Sequence, residues 1–256
     1  MMIQNIFGKQ ASFERRLLFT VLGAVLAMVD VFNEPFGLAL DVAWITVLFC
    51  GLPIVFQSLA SMYEQLEIGS NFLTSVALIA LVAIGDYHDA AYIALIFQIS
   101  ILVEQYLSQN RILTVNDNWL PTLNDQWHEI QVHLEPWAPI MVVCSIFVAI
   151  GSYAVTQNLV HTITLLLVLC PSVLAIIVAL YQLTHLVVNA PHLLSLSNGS
   201  KQILLFTTIG AICIYAWTII WAVMGSIDPV GAVLLFGMGH MLTLGNVAMM
   251  QHSLAQ

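Results

Sequence analysis

Long apolar runs dominate the chain, with little of the polar and apolar alternation that is expected of β-strands. A helix needs about 18 or more such residues to cross a hydrocarbon core of about 30 Å at 1.5 Å per residue. Eight runs fit this length, with approximate limits 16–36, 41–62, 71–88, 89–107, 137–156, 160–188, 202–224 and 229–250. Because lipid cannot satisfy free backbone groups, the pattern predicts a bundle of about eight transmembrane helices.

Composition supports a bilayer as the solvent. Hydrophobic residues make up 60% of the chain and charged residues only 7%, too few polar side chains to cover a water-soluble globule of this length. We therefore expect an all-α membrane protein, with residues 1–256 as a single transmembrane helical domain and membrane lipid as its partner. The first run is long and a second follows closely, so we interpret it as a permanent anchor and not as a cleaved signal.

The few cations predict the orientation, because Lys and Arg near the ends of spans are retained on the cytoplasmic side. All of them fall on one side of an eight-span arrangement: Lys9, Arg15, Arg16, Arg111 and Lys201. The predicted localisation is therefore the cell membrane, with several passes and both termini cytoplasmic. The net charge of −9 reflects this scarcity of bases, and no basic groove suggests a nucleic-acid partner.

Two polar connections lie on the predicted cytoplasmic side, at 108–135 and 189–200. The first is rich in Asn, Asp, Gln, Trp and His, which favours an interfacial hairpin or a short amphipathic helix. Both are too short for a catalytic domain, and neither contains a glycine loop that would hold phosphate.

Several short motifs follow one another in a recognisable order along the spans. The succession Gly85-Asp86-Tyr87-His88-Asp89-Ala90-Ala91, followed by Leu102-Val103-Glu104, is similar to the third and fourth spans of the heavy-metal-transporting P-type ATPase family. Cys170-Pro171-Ser172 is similar to its Cys-Pro-Cys metal signature. Asn198-Gly199-Ser200 and Leu242-Thr243-Leu244-Gly245-Asn246 resemble segments before its last two spans and within its final helix. The resemblance implies the same helical bundle over the whole chain.

The sequence departs from the family where ATP would be used. It has no Asp-Lys-Thr-Gly-Thr phosphorylation sequence and no Thr-Gly-Glu loop, and phosphoryl transfer needs an acceptor carboxylate, magnesium and a nucleotide cradle together. The 108–135 loop stands in place of the actuator domain, and the 189–200 turn stands in place of the catalytic domains. We expect no enzyme activity and no nucleotide, and a separate chain as the energising or partner subunit of any transporter.

Metal donors are predicted at one depth within the spans. Pro171 frees a backbone carbonyl beside the Cys170 thiol, while Ser172 supplies only a poor ligand for a soft ion. On the last span, Met238 and His240 are about 200° apart, so at most one can face Cys170. A packing role remains the alternative for each, although a histidine in the middle of a span is costly unless it has a function.

Acidic positions give a second set of candidates. The resemblance places Asp89 and Glu104 along the ion's route, although Glu104 could also extend to the interface. Asp86, His88 and Asp89 share one tight outer turn, which could collect a divalent cation or form a solvated turn.

Three functions remain open at this point. The first is a membrane protein that binds or conducts a transition-metal ion such as zinc or copper. The second is a haem-binding or haem-transporting protein with His or Met axial ligands. The third is a regulatory or assembly partner that has lost transport.

Overall fold

The computed structural model describes residues 13–36, 42–65, 70–114, 138–188 and 198–254, and within these ranges the protein is helical with no strand. The helices are α1 (Phe13–Phe36), α2 (Val42–Thr46), a π-helical segment (Val47–Gly51), α3 (Leu52–Gln65), α4 (Ser70–Ile84), α5 (Tyr87–Thr114), α6 (Ala138–Thr156), α7 (Leu159–Val188), α8 (Asn198–Val223) and α9 (Pro229–Leu254). α2, the π segment and α3 follow one another without a break. The expected helical class is confirmed.

These helices overlie all eight apolar runs, although several of their limits differ from the predicted ones; α8, for example, begins at Asn198, inside the predicted 189–200 turn. The third run ends at Ile84 instead of residue 88, because Gly85 takes a left-handed φ of +87° and Asp86 caps the next helix. α5 continues to Thr114, which is seven residues into the predicted 108–135 loop. Residues 115–135 of that loop and 189–197 of the second connection lie outside the described residues.

Three helical segments in the described part of the chain are long and apolar enough to cross a membrane: Val42–Ala60, Pro139–Thr156 and Gln202–Val223. They correspond to the second, fifth and seventh predicted spans, and the eight-span arrangement stays a prediction. Large apolar side chains are exposed along α1, α6 and α8, including Met28, Phe147 and Phe206. Such a continuous apolar exterior is unusual for a protein surrounded by water.

Three tight turns join α4 to α5, α6 to α7 and α8 to α9. Each contains one residue with positive φ that ends the first helix: Gly85, Gln157 and Gly225. Each also supplies a side-chain oxygen that accepts an N–H in the first turn of the second helix, from Asp86, Asn158 and Asp228. Pro229 follows Asp228 at the first helical position, where its missing N–H costs nothing.

His161 joins two of these turns. Its Nε2 donates to the carbonyl oxygen of Ala222 at 2.8 Å, near the end of α8, and its Nδ1 lies 3.5 Å from the Ser152 hydroxyl of α6. A Cβ at Gly225 would lie 3.6 Å from the His161 ring. The starts of α7 and α9 are therefore neighbours, at what we term the turn end of the bundle.

The packing is organised around α5 and α7. α7 packs against α4, α6, α8 and α9, while α5 packs against α1, α2, the π segment, α4 and α9. The main apolar core joins α2 and the π segment to α4, α5, α7 and α9, with fully buried residues such as Ala43, Leu81, Ile93, Val168 and Ala232. α9 is therefore in contact with both central helices, and this contact positions the candidate site.

Candidate functional site

The two candidate donors on α9, Met238 and His240, face in different directions. Met238 points away from the bundle and is 59% exposed, whereas His240 is half-buried. The His240 ring stacks on Phe236, one turn earlier, with centroids 6.1 Å apart and an interplanar angle of 11°. Of the two, only His240 is thus directed into the bundle.

The surroundings of His240 are aromatic and come from three helices. Phe236 contacts Phe97 of α5 at 6.4 Å and Tyr215 of α8 at 5.6 Å between ring centroids. Gly239 allows this approach, because a Cβ there would lie 2.7 Å from the Tyr215 ring. Tyr215 is completely buried. His240 therefore lies on the face of α9 between the sides that contact α8 and α5.

The Cys170 and Glu104 side chains lie outside the described residues, although their helices are described. α7 runs without a break from Leu159 to Val188. Pro171 lies within it and does not interrupt the helix. Cys170 and His240 are each eleven residues beyond the start of their helices at Leu159 and Pro229 (170 − 159 and 240 − 229). Since both helices start at the turn end, the two backbones are at about the same level, about 16 Å along each axis.

At the acidic turn, one of the candidate residues has a partner on another helix. His88 Nδ1 donates to Asp30 Oδ2 of α1 at 2.7 Å, and the Asp30 side chain is only 4% exposed. Asp89 is close enough to Asp86, His88 and Asp228 for electrostatic interaction. In the described residues no group of three or more His, Cys, Asp or Glu side chains is placed to hold a metal ion.

Asp30 was missed by the sequence analysis, which did not connect it with His88 across 58 positions. A carboxylate that is buried among apolar residues needs a partner, so its presence in the first apolar run was a usable signal. The pair joins α1 to the start of α5, and it places His88 in a structural contact.

Two more buried polar contacts were also missed. Gln98 of α5 donates through Nε2 to the backbone carbonyl oxygen of Cys50, in the π segment, at 3.0 Å. Asn246 of α9 donates to the Thr208 hydroxyl of α8 at 2.9 Å and accepts from the Thr207 hydroxyl. Amides within apolar runs were the available signal, because such groups must find partners inside the bundle.

The other thiols are dispersed. Cys50 is completely buried beside Gly23, while Cys144 and Cys213 are exposed on α6 and α8. All three are free thiols, and none belongs to a group of three or more possible metal ligands among the described residues.

The fold and site define an all-helical protein with helices suited to a membrane and a histidine directed into the bundle among aromatic rings. No family model matches the chain, and no curated protein or solved structure matches it significantly.

Proposed function

We propose that this protein is a non-catalytic, multi-span membrane protein that binds or conducts a transition-metal ion within its helical bundle. In this proposal the chain corresponds to the membrane core of heavy-metal P-type ATPases without their cytoplasmic domains, as the sequence motifs imply. Any energy for transport comes from a separate subunit, because the chain has no phosphorylation sequence or nucleotide cradle.

The observation that carries the proposal is the orientation of α9. It directs His240 into the bundle and Met238 outward, on a helix that packs against both α5 and α7. The half-buried His240 imidazole can present a ring nitrogen to an ion inside the bundle. Imidazole nitrogen suits zinc, copper and similar ions, and a neighbouring thiolate would add a soft ligand.

Cys170 is the second donor in this proposal. α7 packs against both α8 and α9, and Cys170 and His240 share a level along parallel helices. Asp89, in the first turn of α5, and Glu104, fifteen residues further along the same helix, would line the ion's route to and from this centre.

The proposal predicts bound metal that depends on these two donors. Protein purified in mild detergent should contain a transition metal by elemental analysis, and Cys170→Ala or His240→Ala should lower its occupancy about tenfold or more, as loss of a ligand does. Met238→Leu is the matched control, because Met238 is on the same helix but points outward, and it should retain the metal.

Any other outcome of this experiment would contradict either the bound metal or its assignment to Cys170 and His240. A Soret absorption band would assign the donors to haem, whereas a scaffold with neither metal nor haem would indicate a regulatory or assembly partner. Full occupancy in both variants would place the donors elsewhere in the chain. The size-exclusion profile of each variant separates loss of ligand from loss of folding.

The membrane arrangement is tested separately, by labelling. All of the Lys and Arg residues lie on one side of the proposed eight spans, so the 108–135 loop is cytoplasmic. A cysteine introduced at Asn124 should react with an impermeant maleimide only after the cells are permeabilised. Labelling from outside intact cells would contradict the proposed orientation.

A further inference from the structure

The exposed tryptophan and tyrosine side chains are unevenly distributed along the bundle. Among the side chains that the structure describes, the exposed ones of these two types lie toward the two ends: Trp44, Tyr106, Tyr153, Trp217 and Trp221. The large side chains exposed midway along helices are aliphatic, Phe or Met, such as Val25, Phe147 and Ile209. Helices in a bilayer show this order, because the amphipathic rings of Trp and Tyr prefer the boundary between hydrocarbon and water.

Four of these five exposed rings lie at the turn end. Asp89, in the first turn of α5, is close enough to Asp228 for electrostatic interaction, and Asp228 caps α9, so α5 also starts at this end. The Tyr87 ring, at the first residue of α5, contacts the Trp44 ring with 5.1 Å between centroids. This contact brings the start of α2 to the same level. Tyr153 is three residues before the end of α6 (156 − 153).

The tryptophans of α8 form a second aromatic pair at this end. Trp221 and Trp217 precede the last residue of α8, Val223, by two and six positions (223 − 221 and 223 − 217), or about 3 and 9 Å. Their ring centroids are 5.2 Å apart, and the side chains are 37% and 54% exposed. Their depth is therefore comparable with that of the headgroup layer, about 5–8 Å on each face of a bilayer.

The opposite end of the bundle has an exposed tyrosine at the matching distance. Tyr106 is 53% exposed on α5, and its ring contacts that of Phe13, at the first residue of α1, at 6.0 Å. It lies 19 residues beyond Tyr87 (106 − 87), which is about 28 Å along a helix and close to the thickness of a hydrocarbon core. Arg16 lies one turn after Phe13, whereas the turn end is acidic. This separation of charge suits a bilayer whose cytoplasmic leaflet is anionic.

We infer that the exposed rings at the turn end form a lipid-binding belt, which holds this end in the phospholipid headgroup layer. The belt consists of Trp44, Tyr153, Trp217 and Trp221. Their N–H and O–H groups can donate to phosphate and ester oxygens, while the rings lie against the first carbons of the acyl chains. In this arrangement α5 also crosses the bilayer, although it is not one of the three segments that are long and apolar enough by themselves. The inference rests on the proposed membrane location and is independent of metal binding.

Quenching of tryptophan fluorescence by brominated lipids measures this depth. The test chain keeps the three belt tryptophans and replaces those outside the described residues, through Trp119→Phe, Trp127→Phe and Trp137→Phe. It is reconstituted into phosphatidylcholine vesicles whose acyl chains carry bromine either near the headgroup or near the chain end. The depth control carries Phe147→Trp and has every native tryptophan replaced by phenylalanine, because Phe147 is 69% exposed and nine residues from the end of α6 (156 − 147).

We expect the shallow bromines to quench the belt tryptophans about twofold more than the deep bromines, because rings at the headgroup level lie far from the chain ends. The order should be reversed for Phe147→Trp. Equal or stronger quenching of the belt by deep bromines, or none at either depth while the control is quenched, would overturn the belt alone. A control that is not quenched by either lipid would overturn the membrane location, and the belt with it.

The unsubstituted protein provides a second measurement if the replaced chains do not fold. Phosphatidylcholine with a photoreactive diazirine near the headgroup should label the peptide that contains Trp217 and Trp221 more than the same lipid with a diazirine at the chain end. The peptide around Phe147 should show the opposite preference. Equal labelling of the Trp217 and Trp221 peptide by the two lipids, or more by the deep one, would also overturn the belt.

Discussion

A Gly23→Ala variant is expected to lose about 1–3 kcal/mol of stability, the usual cost of forcing an extra carbon into a packed interior. The added Cβ would overlap the Sγ of Cys50, which is completely buried in the π segment. Neither side chain has a longer flexible end that could move aside. α1 and the π segment would have to separate, and thermal unfolding in detergent should show a clear fall in Tm.

A second substitution tests this explanation directly. The same Cβ would be 3.9 Å from the Cβ of Cys50, an ordinary contact, so Gly23→Ala should cost little in a Cys50→Ala background. Gly151→Ala is the control, since a Cβ there meets nothing within 4 Å. An unchanged Tm for Gly23→Ala, or an equal loss with and without Cys50, would refute the close contact.

Replacing Gln98 with methionine should destabilise the protein by about 1 kcal/mol, the size of a hydrogen bond inside a helical bundle. Methionine keeps the length of the side chain but cannot donate to the carbonyl oxygen of Cys50, which Gln98 now reaches at 3.0 Å. That oxygen lies beside Pro53, in a segment where regular helical bonding is disturbed.

The controls for Gln98 separate backbone from side-chain effects. Gln98→Met should cost the same in a Cys50→Ala background, because the accepting oxygen belongs to the main chain. Ser100→Ala should change the Tm little, since that hydroxyl bonds only to its own helix at the Ile96 carbonyl. A Tm for Gln98→Met equal to that of the unsubstituted protein would contradict a role in holding the π segment.

The positions of the helices could be predicted from the sequence because each helix contains one long apolar run. The ends of the helices could also be predicted where a turn residue and a capping residue occur together, as in Ser226 to Pro229. The π segment was not predicted, because no local pattern distinguishes it from an ordinary helix. Its neighbours Gly51 and Pro53 indicate a bend but not the bonding at that bend.

The inward faces of the helices were harder to predict. α1 is an exception, since four of its small or polar residues recur at helical spacing and are buried: Thr20, Gly23, Ala27 and Asp30. α9 is apolar around its whole circumference, so the pattern allows either Met238 or His240 to face inward. The partners of Asp30, Gln98 and Asn246 are far away in sequence, and only the packed structure pairs them.

The three tight turns also bear on how the chain folds. In each turn the residue that ends one helix is followed within three positions by the cap that starts the next, from Gly85 to Asp86, Gln157 to Asn158 and Gly225 to Asp228. The residues that turn the chain back are therefore close together in sequence. Because the contacts within each pair are local, α4 with α5, α6 with α7 and α8 with α9 can pair before the more distant helices pack against them.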